Sequence, residues 1–241
     1  MNLIEWYIPQ GLLLLLLWVL VRRRSYAVCP YFFSYVVFGV AAGIARFVVR
    51  DYRHPYFLTY WITEAVYCLL GILAMHEVLR LVLGTVTHAW WSRAVFPAVL
   101  AAGIALSLGR SYAVPPRIGG VLFYIVLGEI AVRFAQVIVF AGLVTLVPVL
   151  GLRWKQYSFG VATGFGVYAT VSLLITAKFS DFGTGFKFLR DVISLVAYSL
   201  AVLIWIWFFS VPQKVESPKP ELSAPSPGDL KQYKDALRRM R

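Results

Sequence analysis

The chain has 241 residues, of which 60% are hydrophobic and 14% charged, and its mean hydropathy is +0.75. Soluble domains carry about a quarter charged residues, so this composition excludes an ordinary soluble globular protein and predicts an all-α integral membrane protein. The formal net charge of +12 would suit nucleic acid in a soluble protein; here the basic residues sit at the ends of apolar stretches and in the C-terminal tail, so a lipid bilayer with anionic headgroups is the expected partner and nucleic acid is not.

The apolar stretches predict a seven-transmembrane-helix bundle over residues 1–210, with spans at 4–21, 31–49, 56–83, 94–108, 121–149, 158–176 and 188–210. The first stretch has no basic segment before it and no small-residue cleavage site after it, and so reads as a retained helix. Arg22, Arg23 and Arg24 follow at once. The positive-inside rule places them in the cytoplasm, with the N-terminus outside and, after seven crossings of the cell membrane, the C-terminus cytoplasmic. Gly39 with Gly43, and Gly160 with Gly164, form GxxxG pairs expected to let helix backbones approach within the bundle. Aromatic residues at span ends, Trp90 with Trp91 and the run from Trp205 to Phe209, read as interface belts. Cys29 and Cys68 fall at different depths, so no disulfide joins them. Residues 211–228 form a proline-rich linker, and 229–241 a basic amphipathic cytoplasmic tail. In that tail Leu230, Tyr233, Leu237 and Met240 recur at helical spacing among Lys and Arg, which suits anionic lipid or a cytoplasmic protein partner.

The third stretch carries the first functional candidate. An ionisable group inside a span costs about 2.5–3.5 kcal/mol on insertion scales, and Glu64 lies about 12 Å from one membrane face when counted at 1.5 Å per residue from Tyr56. Tyr60, Glu64, Tyr67 and Cys68 share one helical face. Glu129 lies at similar depth on the fifth stretch, with Arg133 one turn further in. Tyr168, Ser172 and Thr176 form a stripe on the sixth, Asp191, Ser194 and Tyr198 another on the seventh, and Arg46 ends the second at comparable depth. These residues converge on one layer in the outer half of the bundle. Two readings follow from it. The layer lines a ligand-binding pocket open to the outside, in which Arg46 or Arg133 holds an anionic group and Glu64 or Glu129 a cation or proton. Alternatively Glu64 pairs with Arg46, and Glu129 with Arg133, as a brace that sets helix register.

Other chemistries lack their residues. His76–Glu77–Val78–Leu79–Arg80 begins like a zinc HExxH helix, but Arg80 replaces the second histidine, and His54 and His88 lie in loops on opposite sides. Glu77 and Arg80 are instead expected to form an ion pair at the interface. The last stretch has no central lysine for a retinal Schiff base, and the sequence has neither a GxSxG nucleophile motif nor a P-loop. No motif calls for a metal or cofactor. The sequence therefore favours a non-enzymatic sensor or receptor-like membrane component that takes a small ligand from the outer side. A small-solute, ion or proton transporter is the alternative, and an intramembrane enzyme using Glu64 or Glu129 the second alternative. The orientation is tested with a reporter active only outside the cell: it should work when fused before Met1 and fail when fused after Arg241, and the reverse pattern would turn the polar layer toward the cytoplasm.

Overall fold

Backbone N–H and C=O groups have no water partners in hydrocarbon, so a chain this apolar satisfies them within helices. The computed structural model describes residues 3–83, 91–113, 121–149, 156–179 and 187–211, and all regular structure among them is helical. The helices are α1 (Leu3–Arg22), α2 (Pro30–Val48), α3 (Arg53–Leu83), α4 (Trp91–Ala113), α5 (Val121–Val149), α6 (Gln156–Phe179) and α7 (Lys187–Ser210). Six of them, α2 to α7, are long and apolar enough to cross a membrane, which makes the chain a multi-pass membrane protein; α1 contributes a shorter apolar stretch, Tyr7–Arg22. The fourth helix extends beyond the expected 94–108 at both ends. The expected linker and tail beyond Val211 lie outside the described residues.

Six helices form a closed ring in the order α1, α2, α3, α5, α6, α7, with α3 and α6 meeting across it, while α4 stands outside and packs on α5. Two side chains from the first half of the chain fix ring neighbours. Arg23 Nη2 donates to the Ser210 carbonyl at 2.6 Å, which ties the end of α1 to the end of α7. Glu77 of α3 accepts the free backbone N–H groups of Tyr31 and Phe32, at 3.2 and 3.0 Å, in the first turn of α2. Cys29 offers that helix no side-chain cap, and Pro30 has no N–H, so the carboxylate meets the positive end of the α2 dipole. This corrects the expected Glu77–Arg80 ion pair: the carboxylate serves a neighbouring helix because two orphan donors there outcompete one solvated cation.

The bundle divides into two unlike halves. One half is filled by an apolar core, with Leu13, Leu16 and Leu20 of α1, Phe32 and Val36 of α2, Val78 of α3, Leu143 and Val147 of α5, Phe165 of α6, and Trp205 and Phe209 of α7. Phe32 is its centre: it stacks on Phe209 at 5.4 Å and meets Trp205 edge-on at 5.1 Å. The interface-belt reading of the last aromatic run is thereby corrected. Trp205 and Phe209 are 1% and 0% exposed, and only Trp207, at 69%, faces outward as a belt residue would. Trp90 lies outside the described residues.

The GxxxG pairs act within the bundle, though by a different means from the one expected. A Cβ on Gly164 would strike the Trp205 indole, one on Gly160 the Phe208 ring, and one on Gly43 the Gln10 amide. These glycines make room for large side chains. Close backbone approach occurs at Gly103 instead, where an added Cβ would lie 2.6 Å from the Ala131 carbonyl oxygen of α5. One turn on, buried Ser107 donates to the Leu127 carbonyl at 2.8 Å and completes the α4–α5 seam. Gly103→Ala should therefore lower the melting temperature in detergent, since overpacking costs about 1–3 kcal/mol, and a backbone carbonyl has no rotamer by which to yield. Gly128→Ala, which meets nothing within 4 Å, should match or exceed wild type because alanine gains up to about 1 kcal/mol over glycine in a helix. Equal melting of Gly103→Ala and wild type would remove this seam as the anchor of α4.

Candidate functional site

In the half of the bundle opposite the apolar core, the ring surrounds a cavity of about 370 Å³. All six ring helices line it, and the peripheral α4 does not. On α2, Tyr35, Gly39, Ala42, Gly43 and Arg46 follow one another at helical spacing along the wall; on α5, Glu129, Val132, Arg133 and Gln136 do the same. Tyr60, Glu64, Tyr67 and Cys68 present the α3 face that the sequence predicts, and Gln10, Tyr168 and Tyr198 complete the wall from α1, α6 and α7.

Charge is organised in two units. Arg46 Nε donates to Thr63 Oγ1 at 2.8 Å, and Nη2 donates to Glu64 Oε1 at 2.9 Å. The guanidinium carbon lies 4.6 Å from the Tyr60 ring centroid, so the cation is held by a carboxylate, a hydroxyl and an aromatic face together. Thr63 is oriented by its own helix, where the Thr59 and Tyr60 carbonyls lie 2.8 and 2.9 Å from its hydroxyl. The second unit repeats this logic. Arg133 pairs with Glu129 one turn earlier on α5, donates to Ser172 Oγ on α6, and lies 5.1 Å from the Tyr168 ring centroid. Both members of each unit line the same cavity.

Tyrosines close the inner end. Tyr35 meets Tyr67 edge-on at 5.1 Å, and Tyr198 meets Tyr168 edge-on at 5.6 Å. Beyond them Tyr35 stacks edge-on against Phe165 at 5.0 Å, where the aromatic core begins. The cavity thus has a charged wall and an aromatic floor backed by packed side chains.

Of the residues the sequence singles out, Arg46, Tyr60, Glu64, Tyr67, Glu129, Arg133, Tyr168 and Tyr198 line the cavity. Ser172 lies behind it, as a partner of Arg133. Asp191 is exposed and does not line it, and Thr176 is exposed with its hydroxyl donating to the Ser172 carbonyl of its own helix. The α6 and α7 stripes run out of the cavity before reaching those two residues. Sequence reasoning missed Gln10, Tyr35, Tyr56 and Gln136. A signal existed for two of them: Tyr35 precedes Arg46 by eleven residues, three helical turns, and Gln136 continues the Glu129–Arg133 stripe at i+7. Both ion pairs that the brace reading expects do form, and both line the same cavity.

Comparison with protein-family models, with curated proteins and with solved structures finds no match to this chain. The fold and site define a class, a helical multi-pass membrane protein with a polar cavity within its bundle. The ion pair makes a quantitative prediction. The Arg46 and Glu64 side chains are 20% and 18% exposed, so the group left by a single substitution retains contact with the cavity. Glu64→Gln and Arg46→Gln should each lower stability by less than the ~3–5 kcal/mol typical of a sealed pair, and the double variant should melt closer to wild type than either single one. A double variant less stable than both would show that the two charges do not compensate each other.

Proposed function

We propose that the protein spans the cell membrane seven times, with its N-terminus outside, and that its cavity opens outward and binds a small polar ligand, as a non-enzymatic sensor or ligand-binding component. The observation that carries this reading is the presence of both Arg–Glu pairs on the wall of one cavity to which every ring helix contributes. A cavity whose wall joins six helices couples any occupant to the arrangement of all six, which is what a sensor requires. The proposed ligand-contacting residues are Arg46, Tyr60, Glu64, Tyr67, Glu129, Arg133, Tyr168 and Tyr198, with Ser172 as a support. The basic tail is the segment that would meet a cytoplasmic partner or anionic lipid.

A transporter for a small solute or ion is the rival reading, because buried carboxylates are the relays of such proteins. Against it stands the packing below the floor, where Phe32, Phe165, Trp205 and Phe209 occupy the path. An enzyme using Glu64 or Glu129 as a general acid or base would need a carboxyl able to exchange its proton with substrate, whereas both are engaged by guanidinium groups. The test uses Gln10→Cys in a background where Cys29 and Cys68 are serine. Gln10 lines the cavity near the start of α1, so a charged, membrane-impermeant thiol reagent should label the introduced thiol on intact cells. Labelling only after permeabilisation would place the mouth on the other side and sink the outward-facing reading.

A further inference from the structure

The charge pattern of the cavity narrows the chemistry of its occupant. The wall carries the guanidinium groups of Arg46 and Arg133 and the carboxylates of Glu64 and Glu129, so its formal charges cancel. Each arginine is already neutralised by a carboxylate beside it. A simple anion entering next to either arginine would lie beside that carboxylate too, and a simple cation next to either glutamate would lie beside a guanidinium. In a bundle of low dielectric such a net charge is left uncompensated. A molecule that carries both signs avoids this penalty, because its anionic end can share an arginine while its cationic end shares the glutamate of the same or the opposite unit. The floor adds a preference of its own. Tyr35, Tyr67 and Tyr198 present aromatic rings at the inner end, and ring faces attract ammonium groups. Size adds a third constraint, since about 370 Å³ stands near the lower end of the range of about 300–1,000 Å³ for ligand pockets.

We propose that the cavity binds a small zwitterion, with an ammonium group and a carboxylate or phosphate on one short skeleton, its anionic end at the Arg46 and Arg133 side chains and its ammonium end between the glutamates and the tyrosine floor. This rests on the reading of the cavity as a ligand site. The chemistry is shared by free solutes, such as amino acids and betaines, and by the headgroup of a zwitterionic phospholipid.

The experiment compares each zwitterion with its two singly charged halves. Purified full-length protein in nanodiscs of phosphatidylglycerol, which supply no zwitterionic headgroup, is titrated calorimetrically and by thermal shift. Glycine betaine is set against 3,3-dimethylbutyrate and choline, and L-leucine against 4-methylvalerate and isoamylamine; glycerophosphocholine, which represents the lipid headgroup, is set against glycerol 3-phosphate and choline. At least one zwitterion should bind at least tenfold more tightly than its halves and raise the melting temperature. The Arg46→Gln/Glu64→Gln double variant, which removes one pair while keeping the cavity neutral, should lose that binding at least tenfold; Glu129→Gln, tested in parallel, should also weaken it and covers the case in which the double variant does not fold. Binding of glycerophosphocholine alone would support the proposal with a lipid headgroup as the source, and binding of betaine or leucine would support it with a free solute. Binding of a single-sign half as tightly as its zwitterion, or of no probe at all, would overturn it. If no probe binds while the Gln10→Cys variant is labelled from outside, the zwitterion fails and the open cavity stands; if the labelling fails as well, both fall.

Discussion

An arginine on the inner face of a membrane bundle is costly unless groups within reach of its own side chain offset the charge. Arg46 and Arg133 meet this constraint in parallel ways. Each has a carboxylate, a hydroxyl from a neighbouring element and the face of a tyrosine. The neutralising groups come from two geometries. Arg133 finds Glu129 one turn back on its own helix, in the order that favours such a pair. Arg46 has to reach across to α3 and thereby locks α2 against it. Because these units are bulky and polar, they cannot be covered by close packing, and the half of the bundle that holds them keeps a cavity.

The opposite half shows what the same helices do without charge. There the space at the ring axis is taken by rings and branched side chains, with Phe32 in contact with Phe209, Trp205 and Phe165. Glycines on α6 permit this by giving Trp205 and Phe208 a flat surface to lie on. The result is a cavity with a floor. Its wall is held by ion pairs and its floor by apolar packing. Polar ties at helix ends, the Glu77 carboxylate on α2 and Arg23 on the last carbonyl of α7, hold the ring closed away from the cavity.

The peripheral α4 follows a separate logic. Its contact with α5 rests on a glycine and a buried serine, and Arg110 near its end donates to the Thr176 carbonyl of α6 at 2.8 Å. It therefore braces the outside of α5 and α6, the two helices that carry Arg133 and Ser172, without touching the cavity. Substitutions on its outer face are expected to meet lipid.

Hydropathy alone located the helices, since a run of apolar residues about 30 Å long admits one backbone solution in a bilayer. Depth could also be counted along each helix, and this is why Glu64, Arg46, Glu129 and Arg133 were recognisable as one layer from their positions in the chain. What depth counting cannot supply is azimuth, the direction in which each helix turns its faces. In the leucine run of α1 the residues are chemically identical, yet Leu13 and Leu16 are buried and Leu14 and Leu15 exposed. Trp205 and Trp207 stand two residues apart, one in the core and one facing outward. Periodicity is informative only where polar residues mark a face, so the α3 face was legible, whereas the inward placement of Gln10 and the outward placement of Asp191 were not. Sequence thus determined the membrane class, the helices and the depth of the charges. Tertiary structure alone decided which faces meet, that Glu77 caps α2, and that both ion pairs open on a single cavity, because these depend on packing between segments far apart in the chain.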